Sequence, residues 1–257
     1  MPRFAANLNW LFTEHSFLDR FAAARAAGFE AVEFPAPYDH PPEAIAAELG
    51  AHGLECILFN LPMGDRRKGD IGHACRPGRE AEFREGVTRA IRYAEALDCN
   101  RVNVISGRVL PGEDRGAMRS TLLANLAFAA RELHAAGIEL VIEPLNDIDN
   151  PDFILPRSPE VAALIAELGD SNVGLQCDIY HTTMMKDDFA AVYRALKPVI
   201  RHVQFADAPG RGEPGTGTID FPPLFALLDQ LGYEGWVSAE YKPSKRTEDT
   251  LGWLPIP

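Results

Sequence analysis

The chain has 257 residues, 46% of them hydrophobic, and a formal net charge of −12. This length fits one large domain, and the acidic balance disfavours a protein that tracks a nucleic-acid backbone or lies on an anionic membrane. No apolar stretch reaches membrane-span length, and the start MPRFAANLNWLF has no basic segment leading into a long apolar run, so a cytoplasmic protein is expected.

In chain order, Arg3 to Asn7 reads as a first strand. Ser16 can cap a helix to about Ala27, stopped by Gly28. Strand-like runs follow at 29–34 and 54–60. Phe83, Val87, Ile91, Ala94 and Leu97 then keep helical spacing across 78–97. A strand-like run at 101–107 precedes a helix over 115–136, marked by Met118, Leu122, Leu126 and Leu133 and ended by Gly137. After a run at 138–143, Ser158-Pro159 opens a helix that Gly169 closes. Runs at 173–178 and 201–206 follow. Leu224, Leu227, Leu228 and Leu231 mark a further helix, 235–240 is the last strand-like run, and a short helix is expected after Lys245.

Most of these runs are apolar throughout rather than alternating, as expected of parallel strands covered on both faces. Helix-to-strand connections are short, whereas several strand-to-helix connections (60–77, 144–157 and 207–220) are long. Long loops therefore gather beyond the strand C-termini, where barrels of this kind place their active sites. The repeated strand–helix unit predicts an α/β fold, a single (β/α)8 TIM barrel over residues 1–257, with a doubly wound open sheet as the alternative. Cys56, Cys75, Cys99 and Cys177 form no C-x-x-C pair, so neither a zinc ribbon nor a thioredoxin-like site is expected. Cys75, in a loop, is the one that could react.

Four runs end on an acid or an amide: Glu143, Asp178, Gln204 and Glu240. They are separated by about one strand-plus-helix unit each time. In a barrel their oxygens converge at one mouth. An oxygen-only set, with Gln204 presenting its carbonyl, suits Mg²⁺ or Mn²⁺ better than zinc or copper. A divalent cation beside Glu143 and Glu240 suits enolisation: the ion stabilises enediolate oxygens, one carboxylate takes a proton from carbon, and the other returns one to the adjacent carbon. A hydride shift would give the same product. His181, three residues after Asp178, could bind a substrate oxygen from a loop. His202 shares the barrel-facing side with Gln204 but lies deeper, as a hydrogen-bonded core histidine. Arg211 and Lys242 are candidates for a substrate carboxylate. Asn7 and Asn60 end strands and could line the pocket.

Gly210, Gly212 and Gly215 make a G-x-G-x-x-G, but Pro214 interrupts it and no helix opens directly there, so no nucleotide or flavin cofactor is expected. The long segment 60–80 has the character of a substrate cover, and its Arg66, Arg67 and Lys68 that of a solvated charge run.

The segments VIEPLN, QCDIYH, HVQFAD, RGEPGTGTID and GWVSAEYKP resemble those of the hydroxypyruvate isomerase family, within the xylose-isomerase-like barrel superfamily. The similarity runs nearly end to end. It implies Glu143 and Glu240 as the acid/base pair and metal contacts from Glu143, Asp178, Gln204 and Glu240. The implied reaction interconverts hydroxypyruvate and 2-hydroxy-3-oxopropanoate. Gln204 stands where many of the wider superfamily have His, and Thr182-Thr183-Met184 stand where a glutamine is more usual. MPRFAANL also resembles the 2-oxo-tetronate isomerase branch, so that substrate, or an epimerisation, is the alternative. The expected partner is a small hydroxy-oxo acid, not nucleic acid or membrane, with a homo-oligomer left open. A metal-dependent phosphodiesterase would call for more histidines and a basic groove. A non-catalytic sugar-acid binder would not need both glutamates.

Overall fold

The structure, a computed structural model, describes residues 1–65 and 70–254. Arg66, Arg67 and Lys68 lie outside the described residues.

Eight parallel strands close a barrel in sequence order. They are β1 (Arg3–Asn7), β2 (Ala31–Phe34), β3 (Glu55–Asn60), β4 (Arg101–Val104), β5 (Glu139–Ile142), β6 (Val173–Asp178), β7 (Ile200–Phe205) and β8 (Trp236–Ala239). Pairing of β8 with β1, from Arg3 opposite Trp236 to Ala6 opposite Ala239, closes the ring and rules out the open sheet. The predicted barrel is therefore observed. The strands are buried along nearly their whole length, which explains why their sequences lack alternation.

Around the barrel run α1 (Asp19–Ala26), α2 (Pro42–His52), α3 (Glu80–Leu97), α4 (Arg115–Ala135), α5 (Ser158–Leu168), α6 (Ile179–Met184), α7 (Phe189–Leu196) and α8 (Phe221–Gln230). A 3-10 turn at Thr247–Thr250 is the short helix expected after Lys245. The start of α1 is later than expected because Ser16 binds the Asp19 carboxylate, at 2.5 Å, rather than a backbone N–H. The helices α2, α6 and α7 had no counterpart in the periodicity. In α2 only Ile45 and Leu49 form an apolar stripe, among alanines. α6 is too short to develop one. His181 consequently sits in α6 and not in a loop.

Two strands carry a register shift, between Val32 and Glu33 in β2 and between Leu175 and Gln176 in β6. Such irregularities re-aim the side chains that follow. All four cysteines are free and buried. Burial pushes the Cys75 thiol up to about 11, so it is protonated at neutral pH and the reactive reading of this residue is not supported. Among the described residues no helix is long and apolar enough to cross a membrane.

Candidate active site

The ends of β5 and β8 deliver Glu143 and Glu240 to one small cavity at the barrel mouth, and the end of β6 sets Asp178 beside its His181 and Arg211 walls. Its volume is about 170 Å³, and Glu143, Glu240, His181, Arg211, Asn60 and Trp10 are among its walls. Met63, Asp70 and Ile71 of the long segment after β3 also border it, where a substrate cover was expected.

Asp178 has two tasks. Its Oδ1 accepts the Tyr180 N–H at 2.8 Å and so caps α6. Its Oδ2 faces the cluster, 3.7 Å from His181 Nε2 and 3.4 Å from Arg211 Nη2. Glu143 receives a hydrogen bond from Asn103 Nδ2 at 3.1 Å, and Asn103 also donates to Asn60 Oδ1 at 3.2 Å. Glu240 accepts from Arg211 Nη2 at 2.6 Å. Glu143, Asp178 and His181 bring ligand-type atoms within 4.8 Å of one another, a buried group that could hold a divalent cation.

The carboxyl groups here are harder to ionise than in water. Burial, then the neighbouring Glu240 and Asp178, holds Glu143 well above the usual carboxylate range. Burial also raises Glu240, and with Arg211 opposing it the group settles at about 8. Asp178 is raised by burial too, against the pull of Arg211. Burial and the Arg211 charge push His181 well below the ordinary histidine value, so its ring is neutral. Its Nδ1 accepts the Asn146 backbone N–H at 3.1 Å, and its Nε2 lies 3.0 Å from Arg211 Nη1, with Asp178 Oδ2 and Glu143 Oε1 farther off at 3.7 and 3.8 Å.

Arg211 reaches this site from the glycine-rich loop after β7, with its backbone in the left-handed region at φ 57°. Its guanidinium also lies over the Tyr180 ring, 4.9 Å from the centroid, and near Trp10, at 5.2 Å. The loop itself folds around Asp207. That carboxylate accepts the N–H groups of Ala208 and Ile219 on one oxygen and those of Gly215 and Gly217 on the other. A Cβ on Gly217 would lie 2.3 Å from the Ala208 carbonyl oxygen, so the glycines serve chain closure.

The remaining sequence candidates are less uniform. Asn60 lines the cavity. Asn7 is buried and donates to Glu33 Oε1 at 2.8 Å, while its own carbonyl takes the Asn9 N–H. Lys242 has an exposed side chain, and its backbone N–H donates to the Arg211 carbonyl at 2.7 Å. Gln204 pairs with Asp178 in register, but its amide is held in a network inside the barrel. His202 is the core histidine expected, with Nε2 2.7 Å from Glu33 Oε2.

Sequence reading missed Glu33, Asn103 and Asn146. Glu33 and Asn103 are polar residues at the C-terminal ends of β2 and β4, the same signal that singled out Asp178. Asn146 lies on a loop, and nothing local marks it.

Comparison with known proteins agrees with the barrel fold. Residues 21–255 match the family described as xylose isomerase-like TIM barrel. The 2-oxo-tetronate isomerase of Cupriavidus necator is 44% identical, covering 99% of this chain and 98% of that protein. The hydroxypyruvate isomerase of Escherichia coli is 43% identical over the same shares. A crystal structure described as AP endonuclease, family 2, from Brucella melitensis superposes with a TM-score of 0.96 at 42% identity, covering 99% of this chain and 98% of that one. The chain is an isomerase of the hydroxypyruvate isomerase/2-oxo-tetronate isomerase family, within the xylose isomerase-like TIM barrels.

Proposed function

We propose that this protein interconverts hydroxypyruvate and 2-hydroxy-3-oxopropanoate. The observation that carries the reading is the meeting of Glu143 and Glu240 on one cavity of about 170 Å³, well below the 300 Å³ or more typical of larger ligands. A proton leaves C3 of hydroxypyruvate to one glutamate and a proton is added at C2 by the other, while the hydroxyl hydrogen passes from O3 to O2. Both glutamates have raised proton affinity, which suits groups that must take and return protons near neutral pH. Arg211 supplies the positive charge for the substrate carboxylate. His181, neutral and on the cavity wall, pairs through its ring with a substrate oxygen. Asn60 completes the binding surface on the cavity wall, Lys242 adds a positive charge next to the Arg211 loop, and Asn7 supports the site from inside the barrel.

Glu143, Asp178, Gln204 and Glu240 would hold a divalent cation, Mg²⁺ or Mn²⁺. The donor chemistry fits, because Glu143, Asp178 and His181 crowd ligand-type atoms together in a buried cluster, and Asp178 and Glu240 already draw one cation, the Arg211 guanidinium, to this place. Such an ion supplies charge stabilisation to the enediolate oxygens when bound. The net charge of −12 and a single histidine on the cavity wall support this chemistry over phosphodiester hydrolysis. The near-equal identity to the C. necator enzyme favours 2-oxo-tetronate as a second substrate.

The test is incubation with hydroxypyruvate and with 2-oxo-tetronate in deuterated water with Mg²⁺. Formation of the aldehyde from hydroxypyruvate at the higher kcat/KM supports the first reading. A clear preference for the four-carbon acid replaces it with the second, and no product from either removes both. Deuterium at carbon marks proton transfer.

A further inference from the structure

A second buried carboxylate lies inside the barrel. Glu33, on β2, is fully buried. It takes hydrogen bonds from three side chains: Asn7 Nδ2 at 2.8 Å, Gln204 Nε2 at 2.6 Å and His202 Nε2 at 2.7 Å. The last two come from β7, a strand that is not its neighbour, so these bonds cross the barrel interior. Gln204 in turn accepts from Gln176 Nε2 at 2.6 Å. The β2 register shift falls immediately before Glu33 and the β6 shift immediately before Gln176, so both strands are bent where the network needs them.

We propose that Glu33 is a positioning residue: it fixes the direction of the Gln204 amide, on the residue opposite Asp178 in register, so that the carbonyl oxygen, and not the NH2, is the end turned away from Glu33. This rests on the reading of Gln204 as a metal ligand. An ionised carboxylate only accepts hydrogen bonds, so the Gln204 nitrogen must face Glu33 and its oxygen must face away. Reversal would set amide oxygen against carboxylate oxygen in the buried interior. Gln176 alone does not impose the direction. Its own Oε1 is buried with no hydrogen-bond partner among the described residues, so its amide can reverse and follow whatever Gln204 does. Glu33 is the fixed point, and Asn7 and His202 keep it there. A carbonyl oxygen with one lone pair on Gln176 keeps the other for a hard cation, whereas an amide nitrogen would repel one.

The test is Mn²⁺ affinity of the metal-stripped full-length protein by titration calorimetry, with thermal melting to establish folding. Glu33→Gln can donate as well as accept and no longer dictates direction, so it weakens Mn²⁺ binding at least about tenfold, the lower end for groups that orient ligands. Gln204→Ala weakens it similarly, and the double variant is no worse than Gln204→Ala alone. If Glu33→Gln binds Mn²⁺ like the parent while Gln204→Ala does not, the ligand reading stands and this inference falls. If neither variant weakens binding, both fall. Additive losses place Glu33 outside the Gln204 route and also overturn the inference. Should Glu33→Gln not fold, the charge-conserving swap Glu33→Gln/Gln204→Glu decides. A carboxylate at 204 has oxygen at both ends, so the swap binds Mn²⁺ at least as tightly as the parent, and weaker binding refutes the proposal.

Discussion

Two sets of carboxyl groups are buried in this barrel and respond in opposite ways. At the mouth, Glu143 and Glu240 are pushed up. In the interior, burial alone would push Glu33 up as well, but the His202 imidazole and the donors on Gln204 and Asn7 outweigh it and the net shift is downward. The difference lies in the donors. Glu33 has three side-chain donors and no acidic neighbour in its hydrogen-bond shell. Glu143 has one side-chain donor among the described residues and faces two other acids. Desolvation sets the scale of the effect, while the partners set its sign. The interior carboxylate is thus a structural anion, and those at the mouth are left able to exchange protons.

The largest effect that separates the two regions is in stability. Glu33→Ala strands His202, Gln204 and Asn7 without their acceptor, and urea unfolding should show a loss of about 3–5 kcal/mol. A loss below about 1 kcal/mol would mean that the interior carboxylate is not the structural one. Next come Glu143→Gln and Glu240→Gln. Each should lower turnover on hydroxypyruvate at least about a hundredfold, the scale of acid–base loss, while the protein without metal melts no lower than the parent. Near-normal turnover in both would erase the functional half of the contrast.

The third prediction concerns pH. Glu240 binds its proton more tightly folded, with a value of about 8, than unfolded. Between the ordinary carboxylate value and that value the native state holds more protons, so stability falls as pH rises. In chelator, unfolding free energy should drop by roughly 2 kcal/mol between pH 6 and 8, and Glu240→Gln should flatten the slope. A parent protein that gains stability over that interval would contradict the sign. The smallest effect calibrates donors without burial. Asp114 is exposed and its Oδ1 accepts the Gly116 and Ala117 N–H groups at the start of α4. Asp114→Ala should cost about 1 kcal/mol in the same urea experiment.

Much of the architecture is legible in the chain because parallel buried strands and their punctuation are local signals. The bounds of β1 and β6 are those read from the sequence. The run at 101–107 stops early as a strand, at Val104, where Ile105 and Ser106 leave β4 and Gly107 takes a positive φ of 113°. Glu143, Asp178 and Glu240 were visible because each ends an apolar run. Glu33 has the same local signature in AVEF, yet its meaning comes from β7, which only barrel closure brings opposite. Arg211 was visible as a cation, but its hold on Glu240 depends on a left-handed backbone and on a loop gathered by Asp207. The direction of the Gln204 amide had no sequence signal at all.

The division of labour within Asp178 restricts which acid that strand end can carry. One oxygen closes the first turn of α6 while the other looks into the mouth. Glutamate, one methylene longer, would carry its carboxylate past the Tyr180 N–H and is a poor cap, so a drift to it would loosen the start of the helix that bears His181. The smaller acid is therefore fixed twice, by a helix and by a site, and homologues that exchange it should have rebuilt both together.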